Sequence, residues 1–151
     1  MPAKTVQRMA IYLILFLLVL LAAGVIYFSS AYNTRVAREL ESNPEGERAA
    51  QVMLITFPDG HSTPVNYLRE GNTVFAGSDF NWWKKIASDG TRLKLLIKGE
   101  ELEGTATVSD DTGYTYEVFE RLRPDAPTWA SKLVGARLVV IELDDQPEQT
   151  P

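Results

Sequence analysis

The sequence contains no cysteine and only one histidine, His61. There is no thiol to protect and no disulfide to form, so cysteine usage fits a reducing or an oxidising compartment equally. The spacings that mark chemistry in other chains are missing as well: there is no nucleophile triad, zinc-ligand pattern, Walker-type phosphate loop or pair of catalytic carboxylates. No residue stands out as catalytic. Asp110-Asp111 reads as a helix cap rather than a metal site, because no second cluster of carboxylates or histidines is spaced to complete a shell. A lone histidine in a turn is ordinarily solvated rather than a base or a haem ligand. Any chemistry must then come from a bound cofactor, with the protein orienting it and excluding water.

Charge is absent from one long stretch, Met9 to Phe28, MAIYLILFLLVLLAAGVIYF. As a helix, about 20 residues cross a hydrocarbon core of roughly 30 Å. The run reads as a single-pass N-terminal membrane anchor (residues 9–28) behind a short basic end (residues 1–8). A cleaved signal peptide is the competing reading, since Lys4 and Arg8 form a basic flank and Ser29-Ser30-Ala31 resembles a small-residue cleavage site. The apolar cores of such signals, however, span only about 7–15 residues. The side of the membrane taken by the rest of the chain stays undecided: Lys4, Arg8 and the amino terminus are opposed by Arg35, Arg38 and Arg48, with a slight bias to a cytoplasmic amino terminus.

All twenty acidic residues and thirteen of the fifteen basic ones follow this run, which leaves that part of the chain at −7. Such a surface repels nucleic acid, which needs a basic stripe. The local exception is Lys84 to Lys98, where Lys84, Lys85, Arg92, Lys94 and Lys98 face only Asp89. This is either a solvated face or a seat for a phosphorylated small molecule.

Residues 29–49 read as a polar stalk, broken by Asn43-Pro44-Glu45-Gly46, in which Tyr32 to Leu40 can prolong the anchor helix. The soluble domain occupies residues 50–143. Ala50 to Phe57 is apolar on both sides and predicts a strand buried on both faces. Pro58-Asp59-Gly60 turns the chain into a second strand, His61 to Arg69, where Pro64 implies an edge or a bulge. Thr73 to Ala76 is a third strand, followed by a small-residue turn, Gly77-Ser78-Asp79. A helix of about two turns comes next, with Phe80, Trp83 and Ala87 on one side and Trp82 and Lys85 on another. Arg92 to Lys98 alternates to bury Leu93, Leu95 and Ile97, and Leu102 to Val108 is a strand with one wet face. A helix from about Tyr114 to Leu122, capped by Asp110, Asp111 or Thr112, should bury Tyr114, Val118, Phe119 and Leu122. A short helix, Trp129 to Val134, capped by Thr128 and ended by Gly135, leads to a central strand, Ala136 to Leu143. Residues 144–151 are acidic and proline-bearing and read as a disordered tail. Six strands in hairpin order with few, short helices predict a mainly β (α+β) fold, a small antiparallel barrel whose closure removes exposed edges.

From about Val52 to Leu143 the order of parts resembles the split β-barrel flavin-binding group (pyridoxamine-phosphate-oxidase-like), nearest to deazaflavin-dependent nitroreductase-like and quinone-reductase-like proteins. The residues that carry it are ITFPDGHSTPVNYLREGNTVFAGS, a tryptophan-bearing helix, a strand ending in Lys98-Gly99 and the closing VVIEL. The resemblance implies a six-stranded antiparallel split barrel and a bound coenzyme F-420 or FMN, less often FAD or haem. It also implies hydride transfer to a quinone or nitro compound, attachment to a membrane in some members, and commonly a homodimer with sites between subunits. Carried over by position, Asn66 and Tyr67 line the cofactor ring and Ala76-Gly77-Ser78 form the phosphate loop. Trp82 or Trp83 is the aromatic residue after that loop, and Lys84 and Lys85 meet the phosphate. The first hairpin, Asp59-Gly60-His61-Ser62-Thr63, lacks the basic residues such proteins carry there.

Two functions are therefore expected. One is a membrane-anchored, deazaflavin- or flavin-dependent reductase of a lipophilic quinone or a nitro compound. The other is a non-catalytic, membrane-tethered β-barrel that binds a partner or ligand without a redox cofactor. In the second, the tandem tryptophans are core or interface residues and Gly77-Ser78 is an ordinary turn.

Overall fold

The computed structural model describes residues 3–78, 81–127 and 135–144, and the chain divides into two compact units, Met1–Val36 and Ala37–Pro151. The expected helix at Trp129–Val134, its cap Thr128 and the tail residues 145–151 lie outside the described residues.

Helix α1 runs over Ala3–Ser42, 40 residues. At 1.5 Å per residue it is roughly 60 Å long, about twice a hydrocarbon core. From Met9 to Phe28 its apolar side chains are open on every side, Leu15 being 51% and Phe28 73% exposed. Such exposure is unfavourable in water and favourable in lipid. From Gln7 onward the helix is long and apolar enough to cross a membrane. It continues through much of the expected stalk and stops at Ser42, before Asn43-Pro44, where the residue preceding a proline leaves the helical region. The Asn43 N–H closes the last turn on the Glu39 carbonyl at 2.9 Å.

The second unit contains six strands, β1 (Val52–Thr56), β2 (Ser62–Glu70), β3 (Thr73–Ser78), β4 (Thr91–Ile97), β5 (Glu100–Val108) and β6 (Arg137–Leu143), with helix α2 (Thr112–Leu122) between β5 and β6. They form a closed antiparallel barrel in the order β1-β2-β3-β6-β5-β4, the architecture expected from the hairpin pattern. Side-chain alternation builds the interior: Met53 and Ile55, Val74 and Ala76, Leu93, Leu95 and Ile97, and Val139, Ile141 and Leu143 all point inward and are buried. Leu54, on the opposite side of β1, is buried as well, as its apolar surroundings in sequence require. The β4–β5 turn places Lys98 (φ 50°) and Gly99 (φ 80°) in the left-handed region. That is the pair of conformations that twists a two-residue hairpin correctly, and glycine supplies one of them without strain.

A second core layer lies outside the barrel, where Phe75 and Leu138 meet Val118 and Phe119 of α2. Asp111 caps α2 by accepting from the Tyr114 N–H at 3.0 Å. The buried face is Thr115, Val118 and Phe119 with Leu122 half-buried, an i, i+3, i+4, i+7 stripe. Tyr114, expected on that face, is instead 40% exposed. The stripe is centred one residue later, so the tyrosine sits at its margin with its ring edge-on to Phe75 at 6.0 Å.

Two local expectations are corrected. Gly77 and Ser78 belong to β3 rather than to a turn, paired with Leu138 and Arg137 of β6. A Cβ on Gly77 would lie 3.1 Å from Cζ of Phe119, so the small residue lets α2 sit close to the sheet. The expected two-turn helix is, in its described part, a 3-10 helix over Asn81–Lys85. Three residues per turn put Ile86 below Trp83, whose carbonyl accepts from the Ile86 N–H at 3.0 Å. Ile86 is therefore the buried anchor, and Ala87, expected inside, is exposed.

Candidate functional site

Strand β2 changes partner along its length. β2 pairs with β1 from Ser62 to Asn66 and with β3 only from Tyr67 to Glu70. The bonds Phe57 N–H to His61 O (2.9 Å) and Tyr67 N–H to Gln51 O (3.0 Å) identify the hydrogen-bonded pairs with β1. Bonded and non-bonded pairs alternate in an antiparallel ladder, so Pro64, opposite Leu54, is in a non-bonded pair and its nitrogen faces away from β1. Among the described residues no strand pairs with it on that side. A proline lacking a donor costs nothing there, which satisfies the edge that its presence implied. The strand pair β2–β3 opens at this end.

The 3-10 helix, which begins three positions after the last residue of β3, places Trp82 and Trp83 against the interior cluster. Trp82 meets Phe57 edge-on at 6.3 Å between centroids, and Phe57 stacks on His61 at 6.4 Å. Two cations lie over Trp83, Lys84 Nζ at 5.8 Å and the Arg137 guanidinium at 5.5 Å from the ring centre. Lys85 Nζ lies 5.0 Å from the Phe57 ring centre and 2.9 Å from Asp59 Oδ2. Asp59 also accepts from the His61 backbone N–H at 2.8 Å. That bond first, and the Lys85 ammonium second, hold its carboxyl below the usual carboxylate value. The group so assembled is half-buried indoles beside fixed charges, which suits an anion with an aromatic body.

The residues singled out by sequence fall in three places. Trp82, Trp83, Lys84 and Lys85 are brought together as described. Ala76 and Ser78 face the barrel interior and are fully buried. Tyr67 packs against the same interior, and its hydroxyl donates to the Ala49 carbonyl at 3.1 Å. Burial raises the Tyr67 pKa, opposed by Arg69. Asn66 and Gly77 alternate to the outer face. Gly77 lies under α2, and Asn66 lines a separate cleft of about 570 Å³ with Gln51, Arg121, Arg123 and Asp125.

Sequence reasoning missed Phe57, Asp59 and Arg137 as neighbours of the tryptophans. The first two follow from the β1–β2 hairpin lying beside the opening. Arg137 follows from the β3–β6 register, Ser78 opposite Arg137, and no local pattern announces that pairing. Among the described residues no group of His, Cys, Asp and Glu is placed to hold a metal.

No protein-family model matches the chain, and no curated protein matches it. Solved structures do. One named for pyridoxamine 5′-phosphate oxidase, from Listeria innocua, is 17% identical with a TM-score of 0.48, covering 63% of this chain and 85% of that one. The general stress FMN/FAD binding protein of the phytopathogen Xanthomonas citri is 18% identical with a TM-score of 0.45, over 70% of this chain and 78% of its own. An F-420 reductase is 16% identical with a TM-score of 0.43, over 69% and 92%. Each of these likenesses has a TM-score below 0.5 and is one of fold alone.

Proposed function

We propose that this chain is a membrane-tethered barrel protein that binds a flavin-type cofactor, coenzyme F-420 or FMN, and serves the reduction of a lipophilic quinone or a nitro compound. The observation that carries it is the indole–cation group of Trp82, Trp83 and Lys84 beside the end of the β2–β3 ladder. Its donor set fits such a ligand: apolar ring faces for a heterocycle, and a lysine without a carboxylate partner among the described residues for a phosphate. Asn66 and Tyr67 on one side, and Ala76, Gly77 and Ser78 on the other, supply the two strand segments that flank the opening. When bound, a flavin or deazaflavin supplies hydride chemistry, and the part of the chain is to hold the ring and exclude water. A tether through α1 keeps the site beside a substrate dissolved in the bilayer.

A second reading, a tethered binding module without a redox cofactor, is favoured by one observation. Asp59 occupies Lys85, and the hairpin from Asp59 to Thr63 offers no other cation.

Titration of the full chain in detergent micelles with coenzyme F-420, FMN, FAD and haem, read by cofactor absorbance or fluorescence, tests the proposal. Binding at micromolar concentration or below is expected, and Trp83→Ala should weaken it by about 1 kcal/mol, roughly fivefold. Absence of binding by folded protein sinks the oxidoreductase reading and leaves the binding module.

A further inference from the structure

We propose that Arg137, with Lys84, forms an oxyanion subsite on Trp83 that receives a phosphate monoester, and that Lys85 does not contribute to it. The inference deepens the site reading above, on which it rests only for the identity of the ring that carries the phosphate.

Arg137 opens β6, far from the tryptophans in sequence, and reaches Trp83 because its ladder partner, Ser78, is the last residue of β3 before the chain turns into the 3-10 helix. The side chain is half-buried, with its guanidinium over the indole at 5.5 Å. A guanidinium that meets an indole as a cation still carries N–H donors for another partner. Several cations of this acidic domain hold carboxylates: Arg69 holds Glu100, Lys85 holds Asp59, Arg92 holds Glu103 and Asp144, and Arg121 holds Glu70. Arg137 and Lys84 hold none among the described residues, although both lie over one ring. Two cations over one half-buried indole create a field in which an oxyanion can accept charge-assisted hydrogen bonds from both. Lys85 is different. Its ammonium is matched by Asp59, which is itself fixed by the His61 N–H, so the pair is close to neutral and presents a carboxylate to any incoming phosphate.

A cofactor phosphate and a phospholipid headgroup share this chemistry, and the test separates them. The full chain in detergent micelles is titrated with inorganic phosphate, read by tryptophan emission, then with FMN and with riboflavin, which lacks the phosphate. The phosphate titration is repeated in nanodiscs with and without phosphatidylglycerol. Saturable phosphate binding is expected, weakened on the order of tenfold by Arg137→Gln and less by Arg137→Lys, and unchanged by Lys94→Gln on the outer barrel face. FMN should bind more tightly than riboflavin, and Arg137→Gln should erase the difference. Phosphate binding that Arg137→Gln and Lys84→Gln both leave intact overturns the proposal, as does equal binding of FMN and riboflavin while the flavin reading survives. If neither flavin binds but phosphate still depends on Arg137, the subsite stands and the cofactor reading falls. Competition by phosphatidylglycerol alone would then assign it to lipid. If Arg137→Gln does not fold, the Lys84→Gln and Arg137→Lys series decides on the same criteria.

Discussion

Two hairpins of the same barrel differ in how far they hold together. β4 and β5 stay in register for seven pairs, from Thr91 opposite Ala106 to Ile97 opposite Glu100. β2 and β3 hold four, from Tyr67 opposite Ala76 to Glu70 opposite Thr73, and then part. In the first hairpin Leu93, Leu95, Ile97, Leu102 and Ala106 point inward and are buried, and on the outer side Lys94 lies opposite Glu103. The second ends in a proline that needs no partner, beside two half-buried indoles and two cations, Lys84 and Arg137, that hold no carboxylate among the described residues. Regular pairing satisfies backbone and side chains from within, and leaves little with which to bind anything. Where pairing stops, those groups are available, so the irregular end is where a ligand can gain.

The largest test of that contrast is proline placed in each hairpin. Lys94 is paired on both sides, with Thr56 of β1 and Glu103 of β5, so its N–H belongs to a ladder whichever way it points. Lys94→Pro should cost more than about 3 kcal/mol, lowering the melting temperature of the barrel, followed by near-UV circular dichroism, by more than about 12 °C. Pro64→Ala should cost no more than about 1 kcal/mol, mainly through the freer unfolded chain. Equal losses would mean that β2 is as fully tied as β4 and that the opening is not one.

A smaller effect sharpens the picture at the β1–β2 hairpin. The folded pKa of Asp59 lies below its ordinary value of 3.8, chiefly because of the His61 N–H and then Lys85. Its contribution is thus fully present above that value and is lost as pH falls through the lower, folded one. Asp59→Asn should melt slightly below the parent at neutral pH, and the two should converge in acid below the folded pKa. The pair is exposed, so the difference will shrink with added salt. A gap that widens in acid would reverse the sign and remove Asp59 as the partner of Lys85.

Much of the fold was legible because most of it obeys a period. The alternation of Leu93, Leu95 and Ile97, the two-sided apolarity of β1 and the charge-free run at the amino end each translate directly into burial or exposure. The site was legible only in part. Trp82 to Lys85 are adjacent in sequence, so their grouping needed no fold. Period three in place of period 3.6 moved the buried anchor from Ala87 to Ile86, because so short a segment between two strands takes the tighter helix. Gly77 looked like a turn because its reason for being small, the ring of Phe119, lies 42 positions along the chain and is visible only once α2 is packed. Arg137 carried no local signal at all. Its place beside Trp83 is a consequence of strand register, which single-sequence patterns specify poorly.

The most direct test of the central claim, that ligand binding belongs to the irregular end of the barrel, is lysine labelling of the full chain in micelles with and without saturating FMN, quantified by mass spectrometry at Lys84 and Lys94. The account predicts that FMN slows labelling of Lys84 severalfold and leaves Lys94, on the regular β4–β5 face, unchanged. Protection of Lys94 in place of Lys84, or no protection of either with FMN bound, would contradict it.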